Sequence, residues 1–458
     1  MRTSRFPHDF LSINQLQEIE ERIIDDATAG RHDAAWAGVE SLMPAQRRQE
    51  FVALSVLRIV EGGYLPTEKA LEALAQVYSA HQRSESVLGL LGEALEQARD
   101  IDLLNGLPPE HPLFLNVTNT LTELVRHAKG RETEGQLLKG LSTAARMMAR
   151  QRDELVETSC RRLIELDPDN SSHHYNLGLF LKTRGRFRDG VIANQTAATL
   201  VDRRPESYEW NLGICATGAG EGALALQIWK RLGQKIEMGR FGLPEGGYPQ
   251  CKVRLAQRPL AERTANSDDP GLEETIWIER LSPCHGIIRS VLYQDLGIDY
   301  GDVILFDGAP ITYHTYGEKK IPVFPHLATL FRNHYRVFDF AGTQEEAGQI
   351  ADASNDLDGD AVVYSHAENF TLMCASCWQD PDLDHSHDAT VEKHVVTGRI
   401  VAPTTIDVRE LLRQLDAAIS KREPCRVYVP DLCESAGFAS RAAFERRRFG
   451  MITGKQTG

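Results

Sequence analysis

The sequence predicts an N-terminal α-solenoid of stacked helical hairpins, followed by a β-rich, barrel-like and α+β domain. Apolar residues recur at helical spacing from Ser12 to Gly233, and short β-branched and aromatic runs replace them from about residue 245. A 35-residue repeat within the helical part is the third observation. We therefore expect a helical domain at 12–236, a second domain at 245–440 and a basic tail at 441–458, and we allow for two subdomains, 245–330 and 335–425, in the second.

Composition excludes several classes of protein. The chain has 458 residues, of which 42% are hydrophobic and 25% charged, as in ordinary globular proteins with more than one domain. No apolar run approaches the roughly 18 residues that cross a bilayer, and the eight cysteines show no disulfide framework. We expect a cytoplasmic protein that does not bind membranes. The net charge of −14 opposes general attraction to nucleic acid, which we therefore do not expect as a partner, although a local basic patch remains compatible with this charge.

The helical part consists of short blocks with Gly, Pro or capping residues between them. The first block closes at Gly30, Pro44 suits the first turn of the third helix, and Thr67 suits the N-cap of the fourth. About twelve helices with short loops are better explained by stacked hairpins than by one closed bundle.

The repeat lies near the end of the helical part. YNLG at 175–178 and WNLG at 210–213 are 35 residues apart, and Pro168 and Pro205 precede the two repeats. Residues 137–236 resemble the tetratricopeptide repeat (TPR) family, through the matching residues Leu177, Gly178, Leu181, Gly185, Ala197, Leu212, Gly213, Gly220, Ala225 and Trp229. Gly190, Asn194 and Ala216 depart from the family pattern.

The resemblance implies a concave groove lined by the first helix of each repeat. Asn176 and Asn211 stand before Leu-Gly, at the position that faces the groove in this family, and Lys182 follows on the first helix. Carboxamides and a cation suit the backbone and the C-terminal carboxylate of an extended peptide. We therefore expect Asn176, Lys182 and Asn211 to bind a peptide. The alternative is that asparagine is simply the preferred residue at this position of the repeat and has no specific role in peptide binding.

The C-terminal half contains short strands. Runs spaced roughly 8 to 12 residues apart favour a small barrel-like sheet at 245–330. Beyond it we expect a strand at 335–340, a helix at 343–354, further strands, and an amphipathic helix that begins near Thr405. This order indicates an α+β sandwich, for which a ferredoxin-like arrangement is one option.

One stretch carries a dense set of metal-ligating residues. Cys374, Cys377, His385 and His387 lie within fourteen residues and could hold one zinc ion. Two features oppose a zinc site: the histidines are separated by only one residue, and residues 374 and 377 of a strand would point to opposite faces. A structural role and a redox dithiol are the alternatives.

Other chemical signatures are weak. Cys284 and His285 are adjacent and are better explained by a turn before a strand than by a catalytic pair. Common nucleotide, hydrolase and metalloprotease motifs are absent from the sequence. The leading hypothesis is a scaffold or adaptor that captures a partner protein or peptide. This hypothesis favours a protein without enzymatic activity but does not exclude an enzyme. The alternative is a metal-dependent enzyme whose repeats select a protein substrate. The sequence predicts no oligomeric state.

Overall fold

The computed structural model describes residues 11–98, 108–317, 319–365 and 395–453. They belong to two compact units. The first comprises the chain up to Gln234 together with Leu260–Pro270, and the second comprises Lys235–Pro259 and the chain from Gly271 onward.

The described part of the first unit contains helices joined by short loops, as predicted. They are α1 (Ile13–Thr28), α2 (His32–Gln46), α3 (Glu50–Glu61), α4 (Thr67–Ala80), α5 (Glu85–Ala94), α6 (Pro112–Ala128), α7 (Glu134–Met147), α8 (Asp153–Leu166), α9 (Ser171–Thr183), α10 (Phe187–Thr199), α11 (Glu206–Gly218) and α12 (Gly222–Arg231). Local signals begin several of them: Ser12 and Gln15 form a capping box at α1, and Asn170 caps α9.

Two helix boundaries differ from the predicted ones. Pro44 lies inside the last turn of α2 and does not begin α3, because the apolar pattern continues past it and Met43 and Ala45 are both buried. The N-cap of α4 is Pro66, one residue before Thr67.

Glycines allow close helix packing in the predicted repeats. A Cβ on Gly178 of α9 would overlap the buried Asn194 carboxamide of α10, and a Cβ on Gly213 of α11 would lie 2.6 Å from the Trp229 ring of α12. Asn194 also donates to the Gly190 carbonyl at 2.8 Å. The departures from the family pattern at Gly190 and Asn194 therefore belong to one local packing solution.

The segment Leu260–Pro270 joins two strands of the second unit but packs within the first. Arg150, which precedes α8, is 5% exposed and donates to the carbonyls of Thr183, at 2.9 Å, and Leu260. Its Nε lies 3.3 Å from Asp268 Oδ1. A Cβ on Gly185 would meet the Ala261 carbonyl at 2.9 Å, so this segment lies close to the end of α9.

The first part of the second unit contains a two-stranded sheet and a barrel. Its strands are β1 (Glu237–Met238), β2 (Pro244–Glu245), β3 (Cys251–Ala256), β4 (Glu273–Arg280), β5 (His285–Ile287), β6 (Val303–Phe306), β7 (Thr312–Tyr316) and β8 (Lys319–Phe331). Strands β3, β4, β5, β6 and β8 pair in that order, and the parallel pairing of β3 with β8 closes the barrel. Val253, Leu255, Ile278, Ile304 and Phe306 fill its interior. Strand β7 pairs with β8.

A second sheet follows the barrel. Strands β9 (Arg336–Thr343), β10 (Val362–Ser365), β11 (Val395–Ala402) and β12 (Arg426–Tyr428) are antiparallel in the order β10-β11-β9-β12. This is the strand order of a ferredoxin-like sheet, with α13 (Val408–Ser420) between β11 and β12. The fold class predicted from the sequence is thus confirmed.

One local expectation in this half is wrong. Residues 343–354 do not form an α-helix: turns lead into a short 3₁₀ helix, Ala351–Asp356. Two helices follow β12, α14 (Pro430–Ser435) and α15 (Ala439–Thr453), and α15 includes the first part of the segment predicted as a basic tail. Within the described ranges, no helix has both the length and the apolar character needed to span a bilayer.

Candidate functional site on the first helices of the repeats

A polar cluster joins the two first helices of the TPR-like hairpins. Helices α9 and α11 contact each other, and each is followed by its partner, α10 or α12. We define the Lys182 cluster as Tyr175 and Lys182 on α9 with Tyr208 and Asn211 on α11.

The centre of this cluster is a hydrogen bond between two predicted site residues. Lys182 Nζ donates to Asn211 Oδ1 at 2.8 Å, and the two residues are 4% and 7% exposed. Asn211 Nδ2 donates to the Tyr175 hydroxyl at 2.9 Å and to the Ser207 carbonyl at 3.1 Å. The Asn211 carboxamide therefore links a buried ammonium group to an aromatic hydroxyl.

Aromatic stacking holds the same two helices together. The rings of Tyr175 and Tyr208 stack with centroids 4.5 Å apart, and the Tyr208 hydroxyl lies 3.2 Å from Ser171 Oγ. Neither tyrosine was among the predicted site residues. Their spacing of 33 residues is close to the repeat length, and this was the signal available in the sequence.

The third predicted residue differs in its environment. Asn176 follows Tyr175 on α9 and is exposed, so its carboxamide is available to a partner. The structure thus brings Lys182 and Asn211 together and leaves Asn176 at the surface.

Charged groups surround the cluster. Glu209 of α11 is 6% exposed and accepts from Arg204 at 3.1 Å and from Arg231 at 2.7 Å. At the start of α9, burial lowers the pKa of His173, and the charge of Lys139 lowers it further. Both effects favour the neutral form of His173.

The predicted metal ligands Cys374, Cys377, His385 and His387 lie outside the described residues. Within the part of the chain that the structure describes, no group of three or more His, Cys, Asp or Glu side chains could hold a metal ion. The six described cysteines are buried, and none of them forms a disulfide with another described cysteine.

Cys284 lies in the turn that precedes β5, and His285 is the first residue of that strand. Ser282 Oγ accepts from the backbone N–H groups of Cys284 and His285, and it lies 2.5 Å from His285 Nδ1. All three residues are fully buried, and burial lowers the pKa of His285 to about 4. These buried hydrogen bonds stabilise the turn between Ser282 and β5.

Comparisons with known structures find helical neighbours of low similarity. A MamA structure (AMB-1) is 16% identical over 48% of this chain and 92% of its own, with a TM-score of 0.27. Pseudomonas aeruginosa PilF is 12% identical over 47% of this chain and 91% of its own, with a TM-score of 0.31. A structure of Naa15/Naa10 bound to HypK is 14% identical over 47% of this chain and 36% of its own, with a TM-score of 0.24. No family model and no curated protein matches the sequence.

Proposed function

We propose that the helical unit is a scaffold that captures a partner protein or peptide on the face formed by α9 and α11. The observation that supports this proposal is the Lys182 cluster, which places amide, hydroxyl and ammonium groups across two consecutive first helices. Stacked helical hairpins offer extended surfaces of this kind to protein partners.

The exposed Asn176 is the direct contact in this proposal. An extended peptide has unpaired backbone N–H and C=O groups, and a carboxamide can both donate to and accept from them. Because Asn176 is exposed, it can make these bonds without first breaking a buried one.

Lys182 and Asn211 have a second role in the same site. Their hydrogen bond fixes Tyr175, the neighbour of Asn176, and keeps a positive charge close beneath the surface. A positive charge there favours a peptide carboxylate, including a C-terminal one. The proposed partner is therefore an extended segment with at least one acidic group.

Capture from lysate with the full chain tests the proposal. The Asn176→Ala, Lys182→Ala and Asn211→Ala triple variant should recover fewer partners than the parent protein while far-UV circular dichroism shows unchanged helicity. Asn116→Ala, which removes an exposed carboxamide from α6, is the matched control for Asn176→Ala and should leave recovery unchanged. Equal recovery of every partner by the parent protein and the triple variant would exclude the α9–α11 face as the binding site.

A further inference from the structure

A buried lysine lies on the outer face of the barrel. Lys252 of β3 is 6% exposed, and its Nζ lies 3.1 Å from His314 Nδ1 of β7 and within hydrogen-bond distance of the Tyr316 hydroxyl. It also lies 5.4 Å from the centroid of the Trp277 ring and 4.5 Å from that of Tyr316. We call Lys252, Arg254, Trp277, His314 and Tyr316 the Lys252 face.

Strand register explains why these side chains meet. Lys252 pairs with Trp277 of β4 on one side and with Val323 of β8 on the other. Val323 in turn pairs with Thr312 of β7, so His314 and Tyr316, two and four residues further, share its face. The alternate residues Cys251, Val253 and Leu255 point into the barrel core.

The positive charge of Lys252 has no carboxylate beside it. Among the described residues, no carboxylate oxygen lies within 4.0 Å of the Lys252 ammonium, whose contacts are two neutral acceptors and two rings. Burial lowers the pKa of His314, and the charges of Lys252 and Arg254 lower it further, which favours the neutral ring that can accept from Lys252. Burying an ammonium group without a counterion is costly, and a bound anion would reduce that cost.

Aromatic rings on the same face remain open to solvent. Trp277 is 39% exposed and Tyr316 is 54% exposed. Lys319 of β8 is exposed and pairs with Tyr316, so it lies on the same side of the sheet. The Lys252 face thus presents exposed rings, with an exposed lysine beside them and the buried Lys252 ammonium packed against them. A strand of several residues can spread across such a surface, whereas a single small molecule would keep much of its area in water.

We propose that the Lys252 face binds single-stranded nucleic acid, with a phosphate group at Lys252 and bases stacked on Trp277 and Tyr316. Rings that stack on bases and cations that follow the backbone are the two elements of such sites. The net charge of −14 belongs to the whole chain, whereas this face carries the local basic patch that the composition left open. The proposal is independent of the peptide-binding function of the helical unit.

Fluorescence anisotropy with the full chain tests this site. The probes are labelled oligodeoxythymidine and oligouridine of about 12 nucleotides, within the range of lengths that single-strand-binding sites cover. We expect saturable binding that weakens as salt rises, because phosphate contacts release counterions. Trp277→Ala and Tyr316→Ala should each weaken it about 5- to 100-fold, and Lys252→Met should weaken it and reduce the dependence on salt.

Tyr313→Ala is the matched control. Tyr313 lies on the same strand and is 53% exposed, but it points to the opposite face from His314 and Tyr316, so its loss should leave affinity unchanged. Because Trp277 is an exposed side chain, its variant keeps the test valid if Lys252→Met fails to fold. The proposal is overturned if neither probe binds, if Tyr313→Ala weakens binding as much as Trp277→Ala, or if uridine monophosphate or polyglutamate binds as tightly as the oligonucleotides.

Discussion

Lys182 Nζ and Asn211 Oδ1 lie 2.8 Å apart, and this hydrogen bond joins the equivalent helices of two consecutive hairpins. Both side chains are more than nine-tenths buried, so the bond forms away from bulk water. A charged donor in such a place makes a stronger hydrogen bond than a neutral one. The pair therefore contributes to the alignment of α9 with α11 as well as to the proposed peptide site.

This arrangement predicts energetic coupling between the two residues. Lys182→Met and Asn211→Leu should each lower the free energy of unfolding, and the double variant should lower it by less than the sum. We expect a coupling energy of about 0.5–3 kcal/mol, as for residues in one hydrogen-bond network. Urea unfolding followed by far-UV circular dichroism measures it, and strictly additive losses would contradict the coupling.

The same substitution at two helical glycines should have opposite effects. Gly178→Ala places a Cβ against the buried Asn194 carboxamide and should destabilise the protein by about 1–3 kcal/mol. Gly135→Ala in α7 meets no atom within 4 Å and should stabilise it by about 0.5–1 kcal/mol through helix propensity. Thermal melts of both variants check the signs. A Gly178→Ala variant as stable as the parent protein would contradict the close packing of α9 on α10.

Sequence patterns predicted the features that are set locally. Helix spacing and Gly or Pro punctuation located the hairpins, and the repeat pattern singled out Gly178 and Gly213, which do lie at close helix contacts. Short β-branched and aromatic runs located β9 to within a few residues. Both signals depend on neighbours in the chain, so one sequence is enough to read them.

Two features could not be predicted in this way, one because side-chain hydrogen bonds compete with the helix and one because it depends on distant partners. Residues 343–354 have a helical composition, but the Gln349 side chain accepts from the N–H groups of Glu345 and Glu346, and Gly348 adopts a φ of 87°. These local bonds replace an α-helix with turns. The meeting of Lys252 with His314 depends on strand register across sixty-two residues, and no pattern in the sequence specifies that register.

The zinc hypothesis for Cys374, Cys377, His385 and His387 remains a prediction from the sequence. If these residues bind the ion, protein purified without a His-tag should contain close to one equivalent of zinc, and Cys377→Ser should remove most of it. Cys433→Ser changes a buried cysteine of α14 and is the matched control. Elemental analysis decides the matter: less than about 0.2 equivalents in the parent protein would exclude a resident zinc.

Stability should depend on pH through His285. Its pKa is about 4 in the folded protein, because burial disfavours the charged ring, and about 6.5 when unfolded. The unfolded chain therefore binds the proton first as pH falls. The stabilisation by neutral His285 is complete above about pH 6.5 and is lost progressively toward pH 4, by about 3 kcal/mol in total.

Two variants isolate this effect. His285→Gln should lower stability at pH 7 but flatten its pH dependence between about pH 6.5 and pH 4, whereas His127→Gln changes an exposed histidine and should leave the profile unaltered. Urea unfolding at several pH values measures both. A His285→Gln profile as steep as that of the parent protein would show that other groups govern the acid response.

Arg150 should protect the segment Leu260–Pro270 from proteolysis. Its guanidinium binds the carbonyls of Thr183 and Leu260 and lies 3.3 Å from the Asp268 carboxylate, so it ties the segment to the end of α9. Arg150→Met keeps most of the side-chain volume but removes these bonds. Local opening should then become more frequent, because few buried apolar residues hold the segment in place.

Trypsin should cleave after Arg263 several-fold faster in Arg150→Met than in the parent protein. The control is Arg47→Met, which changes an exposed arginine at the end of α2 and should be cleaved after Arg263 at the parental rate. Mass spectrometry of the early fragments identifies the site, and equal rates in all three proteins would show that Arg150 does not anchor this segment.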